Sequence, residues 1–265
     1  MNFLTPTFYI ITVFFIALFL LERRFQLRQN TREQKSRLLS NAVLTIFVII
    51  TSMFTVKPSI ASAFDWSFSF ALLKQIEMPY SLEFIAGFLL LDLSFYYWHR
   101  LNHVVPLLWR FHNVHHCDPD MDSSTAFRFH FGEVAYSALF RFVQVALIGV
   151  SLRTFALYEL VFVLSTIFHH SNLKIPIRLD RLLNLLIVTP RMHEVHHSQK
   201  KVESFSNYSV VFSFWDRLHK SFCSAREFRE IKIGVPAYDE AEDNKAPHLL
   251  SLPFKKQRNY WNSRL

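Results

Sequence analysis

The sequence contains one histidine-rich heptad twice, as RFHNVHH at residues 110–116 and as RMHEVHH at residues 191–197. On an α-helix, residues three and four positions apart are neighbours, so H-x-x-H-H brings three imidazoles into one narrow sector. Each heptad can therefore offer three nitrogen ligands. Imidazole serves iron, zinc and copper alike. The repeat predicts a metal site without naming the metal.

Two further histidine clusters accompany the heptads. His99 and His103 have the spacing H-x-x-x-H, one helical turn, and His169 and His170 end an apolar stretch. A single ion takes four to six ligands, which is fewer than these clusters offer together. We therefore expect two metal ions in a shared site, with the two heptads facing each other across it. Lone histidines are usually bystanders, and we expect this of His219 and His248, which lie outside every cluster.

Apolar segments must position these clusters. Hydrophobic residues make up 51% of the chain and charged residues only 19%, a composition that favours a helical membrane protein. Several candidate spans are shorter than the ~20 residues that cross a bilayer, so we expect four to five membrane helices. The candidates are residues 6–21, 38–56, 81–98, 134–150 and 155–168.

The orientation follows from the loop at residues 22–37, which carries six Lys/Arg and two Glu. By the positive-inside rule this loop is cytoplasmic. Counting the spans from there brings every histidine cluster to the cytoplasmic face. The sequence thus predicts an all-α, multi-pass integral membrane protein with a cytoplasmic histidine-rich helical domain. The expected divisions are membrane anchor helices at 1–79, a catalytic domain at 80–223 and a cytoplasmic tail at 224–265.

Several classes of protein are disfavoured. The net charge of +8 is spread between apolar runs, which argues for an anionic membrane surface and against nucleic acid. Cys117 and Cys223 lack C-x-x-C spacing, and the sequence has neither a Rossmann fingerprint nor a haem-attachment motif. Any electrons for redox chemistry must therefore come from a separate protein.

The residues resemble the fatty acid hydroxylase and sterol desaturase superfamily, whose pattern is H-x-x-x-H, H-x-x-H-H and a second H-x-x-H-H. The stretch YYWHRLNHVVPLLWRFHNVHHCDPDMDSSTAFRFHFGE at residues 96–133 is similar to its bacterial sterol-desaturase-like branch. So are FHHSNLKIP, VTPRMHEVHHS and NYSVVFSFWDRL. The resemblance covers about residues 80–254.

The resemblance implies a di-iron centre that activates O2 to hydroxylate or desaturate an unactivated C–H bond of a lipid or sterol-like substrate. Zinc can replace the iron in purified protein, and a ferredoxin- or cytochrome-type reductase system would supply electrons. A bacterial inner membrane is the expected location. The implied ligands are His99, His103, His112, His115, His116, His170, His193, His196 and His197.

Other residues are candidates for supporting roles. Asp92 and Tyr96 share a helical stripe with His99 and His103 and could orient a ligand imidazole; packing between helices is the alternative. Further candidates are His130, Glu133 and His169, the last at a position where relatives often have glutamine.

Three departures from the family pattern concern loop shape and substrate access. Phe131 replaces the proline of RFHPxE, NYS replaces NYG, and WDRLHKS at 215–221 replaces WDRLFGT. None removes an implied ligand.

Two other functions use the same residue types. A membrane zinc hydrolase would employ a metal-bound water as nucleophile. A non-enzymatic metal transporter or haem carrier would use histidine pairs, but no cluster lies midway through a predicted span.

Overall fold

A computed structural model describes residues 4–66, 69–224, 231–259 and 261. Across these residues the regular elements are helices, joined by isolated β-bridges, so the predicted all-α class is confirmed. The α-helices are α1 Leu4–Arg24, α2 Gln34–Phe54, α3 Val56–Trp66, α4 Tyr80–Val104, α5 Pro106–His116, α6 Phe131–Ile148, α7 Leu152–His170, α8 Ile177–Leu183, α9 Pro190–His196, α10 Lys201–Ser204, α11 Phe214–Leu218 and α12 Ala246–Ser251. Short 3-10 helices occur at Leu72–Gln75, Ser123–Phe127, Glu242–Asn244 and Leu252–Phe254.

Four helical stretches are long and apolar enough to cross a membrane: Pro6–Arg24, Gln34–Trp66, Phe131–Ile148 and Leu152–His170. The predicted span at 38–56 extends through α2 and α3. The predicted span at 81–98 lies within α4, which is not one of the four. Its charged residues include Glu83 and Asp92, and such residues are costly in hydrocarbon.

Local sequence signals set the helix ends beside the histidine clusters. Val105 adopts an extended conformation before Pro106, which ends α4 and starts α5 at its first position. Gly149 ends α6 with a φ of +76°, a conformation in which glycine carries no steric penalty. The Ser151 side chain then accepts the backbone N–H of Thr154 and caps α7. The hairpin between α6 and α7 is therefore short and sharply defined.

Three apolar clusters hold the helices together. The largest joins α3, α4, α6 and α7, with Leu91, Val145 and Tyr158 almost inaccessible to solvent. A smaller one joins α1 and α7 through Leu18 and Ile167.

The third cluster includes the C-terminal segment that we expected to be a tail. Leu249 and Leu252 are buried against Leu44 of α2 and Trp109 of α5. Burial of apolar surface thus binds residues from all three expected divisions of the chain into one structure.

Candidate metal centre

The two heptads form short helices with similar starts. In α9, the Thr189 side chain accepts the backbone N–H of Met192, and Pro190 occupies the first turn. Pro106 has the same position in α5. Both helices therefore begin at fixed points just before their histidines.

The structure brings nine histidines into two groups, and within each group the possible ligand atoms lie within 4.8 Å of one another. The first group is His99, His103, His112, His116 and His196. The second group is His115, His170, His193 and His197. These are the nine residues that the family resemblance implied as ligands.

Each heptad divides its imidazoles between the two groups. His112 and His116 belong to the first group, while His115 belongs to the second. The other heptad divides in the same way. His193 and His197, four residues apart, belong to the second group, and His196 belongs to the first. With 3.6 residues per turn, successive residues are about 100° apart. Adjacent histidines therefore diverge, and each heptad contributes to both groups.

The Nε2 atoms converge within the groups. His99 and His196 approach to 2.9 Å between their Nε2 atoms. In the second group, Nε2 of His170 lies 3.0 Å from Nε2 of His115 and 3.0 Å from Nε2 of His193. Lone pairs brought together in this way can be shared by one cation.

Backbone carbonyls fix the tautomer of several imidazoles. Nδ1–H of His99 donates to the carbonyl oxygen of Tyr208 at 2.8 Å, and Nδ1–H of His196 donates to that of Ser206 at 2.6 Å. His170 donates likewise to a carbonyl in its own helix at 2.7 Å. A proton held on Nδ1 leaves the Nε2 lone pair free for a metal.

Glu133 performs the same task for His112. Its Oε1 accepts Nδ1–H at 2.9 Å, and both side chains are buried. Glu133 lies in the first turn of α6, so it links the first heptad to a helix that is long and apolar enough to cross a membrane. Carboxylates in this position orient a ligand imidazole and raise its basicity.

Several buried imidazole nitrogens have no hydrogen-bond partner among the described residues. They include both ring nitrogens of His103 and His116 and Nε2 of His112. Buried polar atoms are nearly always paired. Burial, with added effects of neighbouring imidazoles, lowers the pKa of His116 and His193 well below the ordinary value, which favours the neutral, ligating form. Neutral imidazole nitrogens that are buried without a hydrogen-bond partner are suited to bind a metal ion.

A cavity of about 90 Å³ adjoins both groups. Phe95, Trp98, Phe129 and Phe162 supply aromatic walls, and Val210 adds an aliphatic one. The other lining residues are His99, Asn102, His112, His115, Glu133, Thr166, His169, His170 and His193. An apolar molecule in this cavity would lie directly beside the converging imidazoles.

The hydrogen bonds of Asp92 and Tyr96 are made to residues other than the ligand imidazoles that these two side chains were expected to orient. Asp92 accepts the backbone N–H of Phe212 at 3.0 Å and the indole N–H of Trp215 at 2.9 Å. The hydroxyl of Tyr96 bonds that of Ser221 at 2.8 Å. These bonds fasten the segment that carries Tyr208, whose carbonyl oxygen accepts Nδ1–H of His99. Asp92 and Tyr96 therefore support the site indirectly, through the position of Tyr208.

The two remaining histidine candidates differ from each other. His130 uses both ring nitrogens on protein partners, accepting the backbone N–H of Gly132 at 2.9 Å and donating to the carbonyl oxygen of Leu250 at 3.1 Å. It caps α6 and has no lone pair to offer. His169 lines the cavity with its ring centroid 4.1 Å from that of His193. It remains a candidate for an additional ligand.

The sequence did not lead us to predict a buried charged cluster formed by Arg37 and the aspartates that follow the first heptad. Arg37 is buried and pairs with Asp118 at 2.7 Å and with Asp122 at 2.8 Å. Asp120 accepts the backbone N–H groups of Thr31 and Arg32. The alternating acids of DPDMD at residues 118–122, one residue beyond the His115–His116 pair, were the available signal. They fasten the loop between α1 and α2 to the end of α5.

The departures from the family pattern have local explanations. Phe131 is the first residue of α6, a position where proline is favoured but not required. Ser209 uses its hydroxyl to accept the backbone N–H of Asp216 at 3.3 Å. Lys220 has a φ of +58° where the family pattern has glycine, so this departure carries backbone strain.

Comparison with known proteins agrees with the histidine pattern. A sequence profile described as fatty acid hydroxylase matches residues 84–221. Ornithine lipid hydroxylase OlsE of Rhizobium tropici is 28% identical over 159 residues, which are 60% of this chain and 47% of that protein. No solved structure matches.

Two animal enzymes are also similar. Human alkylglycerol monooxygenase is 30% identical over 147 residues, which are 54% of this chain and 31% of that protein. Mouse cholesterol 25-hydroxylase is 26% identical over 209 residues, which are 77% of this chain and 67% of that protein. The chain spans less than half of the ornithine lipid hydroxylase and about a third of the alkylglycerol monooxygenase. The profile match covers more than half of this sequence and includes all nine grouped histidines, from α4 through α9. The chain therefore belongs to the fatty acid hydroxylase family.

Proposed function

We propose that this protein is a membrane-bound, O2-dependent di-iron oxygenase that hydroxylates or desaturates an unactivated C–H bond of a lipid or sterol-like substrate. The observation that carries the proposal is the pair of convergent histidine groups beside an aromatic cavity. The names of its relatives, which are hydroxylases and monooxygenases of hydrophobic molecules, support it.

The nine grouped histidines would hold the metals, five around one ion and four around the other. Two iron ions would supply the activation of O2 and the oxidation of a C–H bond. The protein's own part is to orient the imidazoles through Glu133 and through the carbonyls of Tyr208 and Ser206. Burial of the groups excludes bulk water, which would otherwise compete for the ligands and the metal.

The cavity supplies substrate positioning. Phe95 lies one turn before His99 on α4, and Phe162 lies two turns before His170 on α7. Their rings are 4.4 Å apart between centroids. The cavity therefore borders α7, one of the segments that are long and apolar enough to cross a membrane. An apolar chain entering from the bilayer would present its C–H bonds to the metals.

Electron supply and orientation complete the proposal. The described residues carry no cofactor-binding motif, so a ferredoxin- or cytochrome-type reductase would deliver electrons. The basic loop at residues 22–37 supports a cytoplasmic position for the centre in a bacterial inner membrane. Cysteine-accessibility labelling beside residues 28, 113 and 194 tests this, since labelling of these sites from the outer side contradicts it.

Isotope labelling distinguishes the oxygenase from the zinc hydrolase. Lipids of cells with and without the gene would be compared after growth under labelled O2. A hydroxylase puts label from O2 into a product, a desaturase removes two hydrogens, and a hydrolase incorporates oxygen from water. A lipid profile unchanged by the gene, in cells shown to contain metal-loaded protein, contradicts the proposal.

A further inference from the structure

Arg28, in the loop between α1 and α2, contacts all three chain segments that carry the second histidine group. Its guanidinium forms an ion pair with Glu194 and donates to the carbonyl oxygen of Met121 at 3.2 Å. Its backbone N–H donates to Oδ1 of Asn172 at 2.9 Å. Each partner follows a ligand in the sequence: Glu194 is one residue after His193, Asn172 two residues after His170 and Met121 six residues after His115.

The loop is held in place by more than one side chain. The backbone N–H of Leu27 donates to the carbonyl oxygen of Asn172, and the Asn172 amide donates back to the carbonyl oxygen of Arg28, both at 2.8 Å. An isolated antiparallel bridge joins Gln26 to Leu173. The chain just beyond His170 is therefore paired to this loop, and Arg28 extends the connection to α9 and to the end of α5.

The Arg28 and Glu194 pair is shielded from solvent, with side chains only 16% and 8% exposed. Solvent-exposed ion pairs are weak because water screens them and the side chains stay mobile. A pair this buried constrains geometry more strongly, since removing one partner leaves the other charge uncompensated. The contact can thus fix where α9 lies.

The second group depends on this contact more than the first group does. Nδ1 of His193 and Nδ1 of His197 have no hydrogen-bond partner among the described residues, so the position of α9 determines where their rings point. Every ligand of the second group lies on one of the three segments that Arg28 contacts, whereas the first group takes His99 and His103 from α4, outside those segments. The first group also takes no ligand from α7, the helix that Asn172 follows.

We propose that Arg28 is a positioning residue that holds the three ligand-bearing segments of the second histidine group in register. This proposal rests on the metal-binding function proposed above. Loss of the Arg28 side chain should weaken the second metal equivalent and spare the first.

The test is a Co²⁺ titration of the full-length, metal-depleted protein in detergent, followed by visible absorption and by metal analysis. We expect two equivalents in the parent. Arg28→Ala should weaken binding of one equivalent by about 10- to 100-fold, the range typical of lost support for ligands, with the other unchanged. Glu194→Gln should act in the same direction, and Arg28→Lys should recover part of the loss.

Arg23→Ala is the matched control. Arg23 pairs with Glu22 and Asp122 near the same loop, and none of its side-chain bonds reaches Met121, Asn172 or Glu194. It should bind both equivalents as the parent does.

The outcomes separate this proposal from the proposed function. Fewer than two equivalents in the folded parent count against the di-iron centre itself. Two equivalents in the parent, with unchanged affinities in Arg28→Ala, overturn the role of Arg28. If Arg28→Ala does not fold, Arg28→Lys and Glu194→Gln decide, and parental affinity in both overturns the proposal.

Discussion

Nε2 of His99 lies 2.9 Å from Nε2 of His196, although 97 residues separate them in the chain. Each of these imidazoles donates its Nδ1–H to a carbonyl in one short segment, at Tyr208 and at Ser206. A single loop therefore orients one ligand from α4 and one from α9. This shared support brings the His99 and His103 pair of α4 and the second heptad, far away in the sequence, into one metal-binding group.

Alanine substitutions should separate ligands from bystanders. His196→Ala removes a member of the first group and His115→Ala a member of the second. Each should lose at least one metal equivalent and nearly all activity, because the remaining ligands no longer complete the shell. Iron analysis of anaerobically prepared protein measures this. His219→Ala is the control, since His219 bonds Tyr97 and the carbonyl of Trp215 instead. Equal iron in all three variants contradicts the assignment.

Glu133 should affect metal affinity without being a ligand in this arrangement. Glu133→Ala removes the acceptor for Nδ1–H of His112 and should weaken metal binding by about 10- to 100-fold. Glu133→Gln keeps an acceptor oxygen and should retain more affinity. Competition with a chelator measures both. Glu159→Gln is the control, because Glu159 pairs with Arg141 and touches no grouped histidine. Identical affinities in the two Glu133 variants and the parent count against the assignment.

Asp92 should matter more for stability than for metal affinity. The Asp92 carboxylate accepts three N–H groups. In Asp92→Asn the side-chain NH2 replaces one of the accepting oxygens, so at least one of these N–H groups loses its acceptor. An unsatisfied buried donor costs about 1–3 kcal/mol, so the melting temperature should fall clearly. The loss of metal affinity should be smaller than that in Glu133→Ala. The reverse order would mean that Asp92 acts on the metal ligands directly.

The pairing of Arg37 with Asp118 should set a pH dependence. Burial alone raises the pKa of Asp118, but the charges of Arg37 and Arg128 outweigh it and hold this pKa at about 2. The stabilisation is therefore present at neutral pH and is lost as the pH falls from about 4, the ordinary value for aspartate, towards 2. Melting temperatures between pH 7 and pH 3 measure it.

Arg37→Gln should weaken this dependence. Without the Arg37 guanidinium, less positive charge opposes the effect of burial, so the pKa of Asp118 should rise from about 2. At neutral pH the variant should be less stable by about 3–5 kcal/mol, and it should lose less further stability as the pH falls below about 4. A variant whose melting temperature falls with pH as steeply as that of the parent contradicts the expected role of the pair.

Lys220 offers a stabilising substitution. Its φ of +58° costs a non-glycine residue about 1–3 kcal/mol, and glycine avoids this cost but loses about 0.5–1 kcal/mol to backbone entropy. Lys220→Gly should therefore raise the free energy of unfolding by about 1 kcal/mol. Thermal unfolding in detergent measures the change. Lys201→Gly, within α10, should lower it, and a decrease in both variants contradicts the strain at Lys220.

Local signals in the sequence set the ends of the helices around the centre. Prolines at 106 and 190, the N-cap Thr189 and the glycine at 149 act on neighbouring residues, so their effects can be read from the chain alone. The membrane span predicted at residues 81–98 depended on more than local signals. It lies in α4, which is largely apolar but carries the carboxylate of Asp92. The contact between Asp92 and Trp215 forms only in the folded chain.

The sequence by itself determined which histidines can be ligands, because spacing on a helix is local geometry and the family pattern names the positions. Only the tertiary structure decided how they are shared. His115 and His116 are neighbours in the chain, yet they face different groups because helical rotation separates them by about 100°. The supports of these groups, such as Tyr208, Glu133 and Arg28, come from distant segments. Their positions follow from packing and buried charge across the whole chain, which no local pattern encodes.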